Sequence, residues 1–371
     1  MAQHLTLVAA AELTPDHLRD ALRGGRPLAV LPAGPPAVVD AALAVLRPDE
    51  PLEHGTDLVV VTSGSTGGGR GVLLPATSLE ASATATHERL GGPGNWLLAL
   101  PVSAIAGLQV LCRSLLAGTR AEVLATGERL ADAVRRMPAG RRYTALVPTQ
   151  LRRYLDEEPD ALRAFDAVLV GGAATDAALR DRASEAGVRV VTTYGMTETA
   201  GGCVYDGRPL AGVQVRVTDG VELTGPTLAL GYRLDPGATE AAFGGGWFRT
   251  RDAGALDADG RLTVTGRLDD VVISGGVNVA PAAVEAALRE HPDVADAVVF
   301  GRPDETWGQR VVAAVVPAPG GRPDLAALRA WVAGRLGAAA APRQLHLLDE
   351  LPLLHTGKPD RRAVAALTTE V

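Results

Sequence analysis

Short unbroken apolar runs alternate along the chain with longer stretches of helical spacing. Asp57 to Thr62 holds only Leu and Val between its ends, the pattern of a strand buried on both faces. Similar runs recur at Trp96 to Leu100, Ala145 to Val147, Ala167 to Val170 and Val188 to Thr192. Ala104 to Leu116 and Thr175 to Ala186 read as helices between them. Pro15 to Arg23 and Ala37 to Leu46 read as earlier helices, joined through a Pro-rich link at Pro32 to Pro36. Strands alternating with helices predict parallel sheets covered by helices, an α/β fold. After Gly201 the runs shorten: Val213 to Val217 and Leu262 to Thr265 alternate around turn signals such as Asp259-Gly260, which predicts a small β subdomain. A second change follows Gly266-Arg267. A strand, the Gly275-Gly276 turn, a helix opening at Pro281 with Val284, Ala287 and Leu288 on its apolar face, and a strand at Ala295 to Phe300 predict a separate small α+β domain. The division expected is a large N-terminal domain over 1–267 and a small C-terminal one over 268–371. The alanine run Ala338 to Ala341 reads as helix or linker.

At 371 residues the chain is long enough for two or three folding units, and 47% hydrophobic with 21% charged residues is globular rather than disordered composition. A net charge of −7 supplies no basic field for nucleic acid or an anionic membrane, so a bound anion must be held by local geometry. Cys112 and Cys203 are too few and too far apart for a zinc site or a disulfide framework. The first residues carry no basic, long-apolar leader pattern, and no apolar stretch reaches membrane-spanning length, which predicts a cytoplasmic protein without stable membrane association. Of the 36 basic residues one alone is lysine, Lys358. A GC-rich genome explains the arginine excess. A lysine retained against that drift marks a place where a compact ammonium is needed and a planar fork will not serve.

Three segments carry candidate chemistry. Thr62-Ser-Gly-Ser-Thr-Gly-Gly-Gly-Arg-Gly-Val72 follows a buried strand. Its glycines allow close backbone approach, its hydroxyls donate hydrogen bonds and Arg70 adds charge, all suited to polyphosphate. It lacks the Gly-Lys-Ser/Thr ending of a P-loop NTPase. A Ser/Gly-rich surface turn is the plainer alternative. Thr193-Tyr-Gly-Met-Thr-Glu198 again follows an apolar strand. It offers a hydroxyl for phosphate, a carboxylate for Mg²⁺ and an aromatic ring for a base, though a buried Tyr and a capping Thr would look the same. Trp247 to Gly254 includes Asp252, with Arg267 fifteen residues on; the pair could grip a ribose diol or form a structural ion pair.

In this order, the segments resemble the adenylate-forming superfamily of acyl-CoA synthetases, adenylation domains and luciferases, from about Asp57 to Lys358. The family's hinge motif is matched by Gly266-Arg-Leu-Asp-Asp270 with Ile273-Ser-Gly-Gly276, and its terminal motif by Thr356-Gly-Lys358. The resemblance implies that Thr62, Ser63, Gly64, Ser65, Thr66, Gly67 and Arg70 cradle the phosphates of ATP. Gly171, Gly172, Ala173, Ala174 and Tyr194 would flank adenine, Gly195 would belong to the same nucleotide site, and Asp252 and Arg267 would bind ribose. Thr197 would hold the α-phosphate, Glu198 the Mg²⁺, and Lys358 would bridge the attacking carboxylate and the α-phosphate. Losing such a donor costs roughly 10²–10³ in rate. The resemblance also implies a mobile C-terminal domain that turns about Asp269 after adenylation and presents Gly275 and Gly276 where coenzyme A enters.

Only 61 residues precede Thr62, a brevity similar to that of short actinobacterial o-succinylbenzoate–CoA ligases of menaquinone synthesis. Leu100 to Val110, Ala145 to Leu151 and Thr193 to Asp206 resemble the same group. It implies adenylation of a small carboxylic acid, o-succinylbenzoate, and its transfer to coenzyme A by a monomer or homodimer. Candidate acyl-pocket residues are Ser103, Ala104, Ile105, Gln150 and Met196. Two departures stand out: Gly69-Arg-Gly71 replaces the usual Pro-Lys-Gly, and Ala104 stands where a histidine is expected. Other readings are another acyl- or aryl-CoA synthetase, a free-standing adenylation enzyme loading a carrier protein, and a nucleotide-binding regulator without chemistry.

Overall fold

The computed structural model describes residues 4–62, 69–354 and 359–368. Two large sheets make up most of the molecule. The first runs in the order Thr6–Ala9, Leu28–Leu31, Leu58–Thr62, Arg70–Leu74 and Gly231–Tyr232. Its first three strands are parallel, as expected, but Arg70–Leu74 and Gly231–Tyr232 join antiparallel. The reason lies in the sequence: seven residues between Thr62 and Arg70 are too few for a crossover, so the chain must return beside the strand it left. Seven strands form the second sheet, with Asn95–Leu98, Arg142–Leu146, Ala167–Val170 and Val190–Met196 parallel at its centre. Gly201–Tyr205 extends it antiparallel, so the large sheet continues past Gly201, where a small β subdomain was expected to begin. That subdomain starts later, with the three-stranded sheet of Gln214–Val217, Val221–Thr224 and Phe248–Arg249 and the hairpin of Asp252–Leu256 with Leu262–Arg267.

Helices Ala76–Leu90 and Ile105–Leu116 lie between the two sheets' apolar faces. Leu79, Leu108 and Cys112 join the first core, whereas Ala85, Leu90 and Val110 join the core of the second. Trp96, Tyr143 and Tyr205 are wholly buried in the second and fix its depth. Shortly after the strand Arg142–Leu146 the chain turns into the helix Pro148–Glu157, whose first residue is proline, with φ already set for a helix.

Beyond residue 270 a further sheet is built from Val277–Val279, Val272–Ser274, Gly308–Pro317 and Val294–Asp304, with Gln344–Leu347 parallel to Gly308–Pro317. Its apolar clusters draw only on residues from 272 onward, including Val284, Ala287 and Leu288 of the helix Pro281–Arg289. The Ala338 to Ala341 run is neither helix nor linker. It forms turns with Ala340 and Ala341 buried, methyl groups small enough to close the core under the helix Leu325–Leu336.

Candidate active site

The strand Val190–Met196 leaves the second sheet through a single 3₁₀ turn, Thr197–Thr199. The reversal is tight. A Cβ on Gly195 would sit 2.2 Å from the Gly201 carbonyl oxygen, so only glycine lets the two strands close. Ala200 adopts left-handed φ of 50°, uncommon for a residue with a Cβ, and its N–H donates to the Thr197 carbonyl at 3.0 Å. Thr199 Oγ1 accepts from the Met196 N–H at 2.9 Å and donates to the Gly201 carbonyl at 2.8 Å. Thr197 is buried, and the Glu198 carboxylate accepts from the Tyr232 hydroxyl at 3.0 Å. Burial pushes the Glu198 carboxyl above its ordinary range, opposed by its own backbone N–H, the Tyr232 hydroxyl and the charges of Arg70 and Arg267. The Arg70 guanidinium stacks 4.9 Å above the Tyr232 ring, and Arg70 faces Thr62 across the first-sheet hairpin. One aromatic ring thus joins the base of the glycine-rich segment to the acidic turn.

A second chain of contacts runs along the hairpin. Asp252 and Arg267 are cross-strand partners, and the Asp252 carboxylate accepts from the Tyr194 hydroxyl at 2.7 Å and pairs with Arg267 Nη1 at 3.5 Å. Burial raises the Asp252 carboxyl, and these two partners oppose the rise; burial beside Asp252 also drives the Tyr194 phenol upward. The same Arg267 grips Asp269 with two hydrogen bonds of 2.8 and 2.9 Å, and Arg251 reaches Asp269 at 3.4 Å. Asp269 is therefore held below the usual carboxylate range, first by Arg267. An ionised carboxylate accepts hydrogen bonds only, which suits Asp252 to the two hydroxyls of a vicinal diol.

The remaining expected residues fall in five places. Gly171, Gly172, Ala173 and Ala174 follow the strand Ala167–Val170; a Cβ on Gly171 would lie 2.2 Å from Thr193 Oγ1, so that strand end runs directly against the Thr193-Tyr194 backbone. Ser103 is buried, Ala104 caps the helix Ile105–Leu116, and Ile105 lies against Gly201, beside the Thr197–Glu198 turn. Met196 packs with Tyr194 against the second core. Gln150 spends its amide on backbone, donating to the Ala99 carbonyl at 2.9 Å and accepting from the Val147 N–H at 3.1 Å. Gly275 and Gly276, at φ of 61° and 78°, make the tight turn of the C-terminal sheet and line a groove of about 560 Å³ with Ile273, Thr306 and Trp307. Ser63, Gly64, Ser65, Thr66, Gly67 and Lys358 lie outside the described residues. Sequence reading missed Tyr232 and Arg251. In a chain with 4% aromatic residues, the tyrosine of Gly231-Tyr-Arg233 was the signal available.

Among the described residues no three His, Cys, Asp or Glu side chains converge as a metal site. The single, partly buried carboxylate of Glu198 would fit Mg²⁺, which prefers few protein oxygens and completes its shell with water and substrate phosphate.

Largely parallel sheets covered by helices, with a part-buried Asp–Arg–Tyr cluster beside a glycine-rich strand end, suit an enzyme that binds a nucleotide, and the comparisons name the family. Residues 11–227 match the AMP-binding enzyme family, and residues 283–358 match the AMP-binding enzyme C-terminal domain. The chain belongs to the AMP-binding enzyme family. It is 46% identical over 375 residues to a probable 2-succinylbenzoate–CoA ligase of Mycobacterium tuberculosis, covering 98% of this chain and 97% of that one. Among solved structures it superposes on the o-succinylbenzoate CoA synthetase of Bacillus subtilis in complex with its acyl-adenylate intermediate. The TM-score is 0.78 at 26% identity, over 99% of this chain and 83% of that one. The same Bacillus enzyme with ATP and magnesium ion superposes at TM-score 0.75 and 25% identity, over 97% of this chain and 83% of the other.

Proposed function

We propose that the chain is an acid–thiol ligase that converts o-succinylbenzoate, ATP and coenzyme A into o-succinylbenzoyl-CoA, AMP and pyrophosphate in menaquinone biosynthesis. One observation carries the choice of acid: 46% identity along nearly the whole length of an enzyme with that printed activity. The substrate carboxylate attacks the α-phosphorus and displaces pyrophosphate; the coenzyme A thiol then attacks the acyl carbon and releases AMP. Glu198 would hold Mg²⁺, which when bound would supply charge neutralisation to the phosphates.

The residues divide the work as follows. Asp252 accepts from the ribose hydroxyls, oriented by the Tyr194 hydroxyl and Arg267 that already hold it. Thr62 and Arg70, with Ser63, Gly64, Ser65, Thr66 and Gly67, bind the β- and γ-phosphates. Gly171, Gly172, Ala173, Ala174 and Gly195 leave room for adenine, and Thr197 donates to the α-phosphate. Lys358 stabilises the charge that builds between carboxylate and phosphate. Ser103, Ala104, Ile105, Gln150 and Met196 shape the acyl side. The N-terminal domain spans 1–267 and a mobile lid 268–371; the lid turns about Asp269 and brings Gly275 and Gly276 to the pantetheine path. The enzyme works in the cytoplasm as a monomer or homodimer. No described helix is long and apolar enough to cross a membrane.

The test is a panel of carboxylic acids with ATP, Mg²⁺ and coenzyme A, scored by AMP release and by the mass of the thioester. o-Succinylbenzoate is expected to give the highest kcat/KM. Adenylate formation from another acid alone, or thioester transfer only to a carrier protein, would overturn the assignment.

A further inference from the structure

Gln109 lies on the helix Ile105–Leu116 with no exposed surface, in contact with nothing the proposed reaction transfers. Its amide nitrogen donates to two carbonyls, Leu79 at 3.3 Å and Ala200 at 2.8 Å. Two acceptors on one side force the orientation of the amide, because a flip would set oxygen against oxygen. The amide oxygen is left buried with no partner among the described residues. Leaving such a group unpaired costs about 1–3 kcal/mol, so the position is more expensive than an apolar side chain that would fill the same space.

What that cost secures is the acidic turn. Ala200 is the left-handed residue that closes Thr197–Thr199, and its carbonyl points into the core, where it meets Gln109. The Gln109 side chain also lies beneath Gly201: a Cβ there would be 3.3 Å from Gln109 Cγ and 3.8 Å from Ile105 Cγ1. On the other flank, the Ala229 N–H donates to the Glu198 carbonyl at 2.8 Å. The turn is thereby held at two backbone points. Gln109 supplies the one from below, and it stands one helical turn from Ile105 on the acyl side.

We propose that Gln109 is a positioning residue of the adenylation step: by holding the Ala200 carbonyl it fixes the turn on which Thr197 and Glu198 meet the phosphates and Mg²⁺. The inference rests on the ligase reading above. Loss of the donor leaves a strained turn free to relax, and misplacement of charge-stabilising groups by a fraction of an ångström is expensive for rate.

The test uses Gln109→Met, which keeps volume and removes the donor, and Gln109→Glu, whose carboxyl donates to Ala200 only while protonated. In Gln109→Met, pyrophosphate exchange is expected to fall about 10–100-fold in kcat with the KM for acid little changed. The Mg²⁺ concentration for half-maximal rate should rise, and thioester formation from supplied acyl-adenylate should stay within about threefold. In Gln109→Glu, exchange relative to wild type should decline as pH rises through the titration of the new carboxyl. Equal loss of both half reactions in protein that melts like wild type would overturn the proposal, as would unchanged exchange and Mg²⁺ dependence. Wild-type protein that exchanges no pyrophosphate with any acid would instead overturn the ligase reading, which keeps the two failures apart.

Discussion

In the proposed function Glu198 has to be ionised to hold a cation, yet its burial favours the neutral acid. Burial raises its pKa from the ordinary 4.5, and the Tyr232 hydroxyl is one of the groups that pull it back. The direction fixes a pH dependence. As pH falls through that raised pKa, Glu198 takes up a proton and the Mg²⁺-dependent first step fails earlier than an exposed carboxylate would allow. Tyr232→Phe removes a donor that stabilises the charged form, so the acid limb of pyrophosphate exchange is expected to move to higher pH while the rate at alkaline pH changes by only a few fold. A limb that stays in place or moves down would show that the hydroxyl does not act on Glu198. The residue types at this site were legible from their order in the chain. The pairing was not: Tyr232 is 34 residues from Glu198 and reaches it by adding an antiparallel edge strand to the first sheet.

That edge strand depends on the residue after Tyr232. Arg233 has a fully buried side chain whose guanidinium donates to the carbonyls of Leu46, Arg47, Glu50 and Pro51 and pairs with Glu53 at 2.7 Å. It ties the end of the helix Pro36–Leu46 and the following loop to the strand that presents Tyr232. Arg233→Met strands four carbonyls and a carboxylate together, and a loss of about 3–5 kcal/mol is expected in denaturant unfolding. A loss below about 1 kcal/mol would mean that water replaces the guanidinium at little cost. Among the elements, local pattern predicted most helices and strands because periodicity and proline act over a few residues. It failed where a short connection overrode the parallel expectation, after Thr62, and where packing made Ala338 to Ala341 a buried turn.

For the molecule as a whole, the two half reactions give the sharpest readouts. Lys358→Ala is expected to lower adenylation by about 10²–10³ and to spare thioester formation from supplied acyl-adenylate. Equal loss of both would remove the separate role of that ammonium. Asp269 carries two ion pairs, to Arg267 and Arg251, and Arg267 also pairs with Asp252. Asp269→Pro, which fixes φ and breaks both pairs, should leave pyrophosphate exchange within several fold and lower coenzyme A transfer by at least about tenfold. Undiminished overall turnover would rule out a hinge at this position.

The sequence alone determined the chemistry on offer: a hydroxyl- and glycine-rich segment after a strand, a Thr-Glu pair, a spaced Asp and Arg, and one lysine among 36 basic residues. These are properties of composition and near-neighbour spacing, which the chain carries before it folds. Only the tertiary structure decided which side chains share a charge or a hydrogen bond. Tyr194 meets Asp252 across 58 residues, and Gln109 holds Ala200 across 91, because sheet order and helix packing bring distant segments within 3 Å. Contacts of that kind depend on the register of whole layers, and no local pattern encodes them.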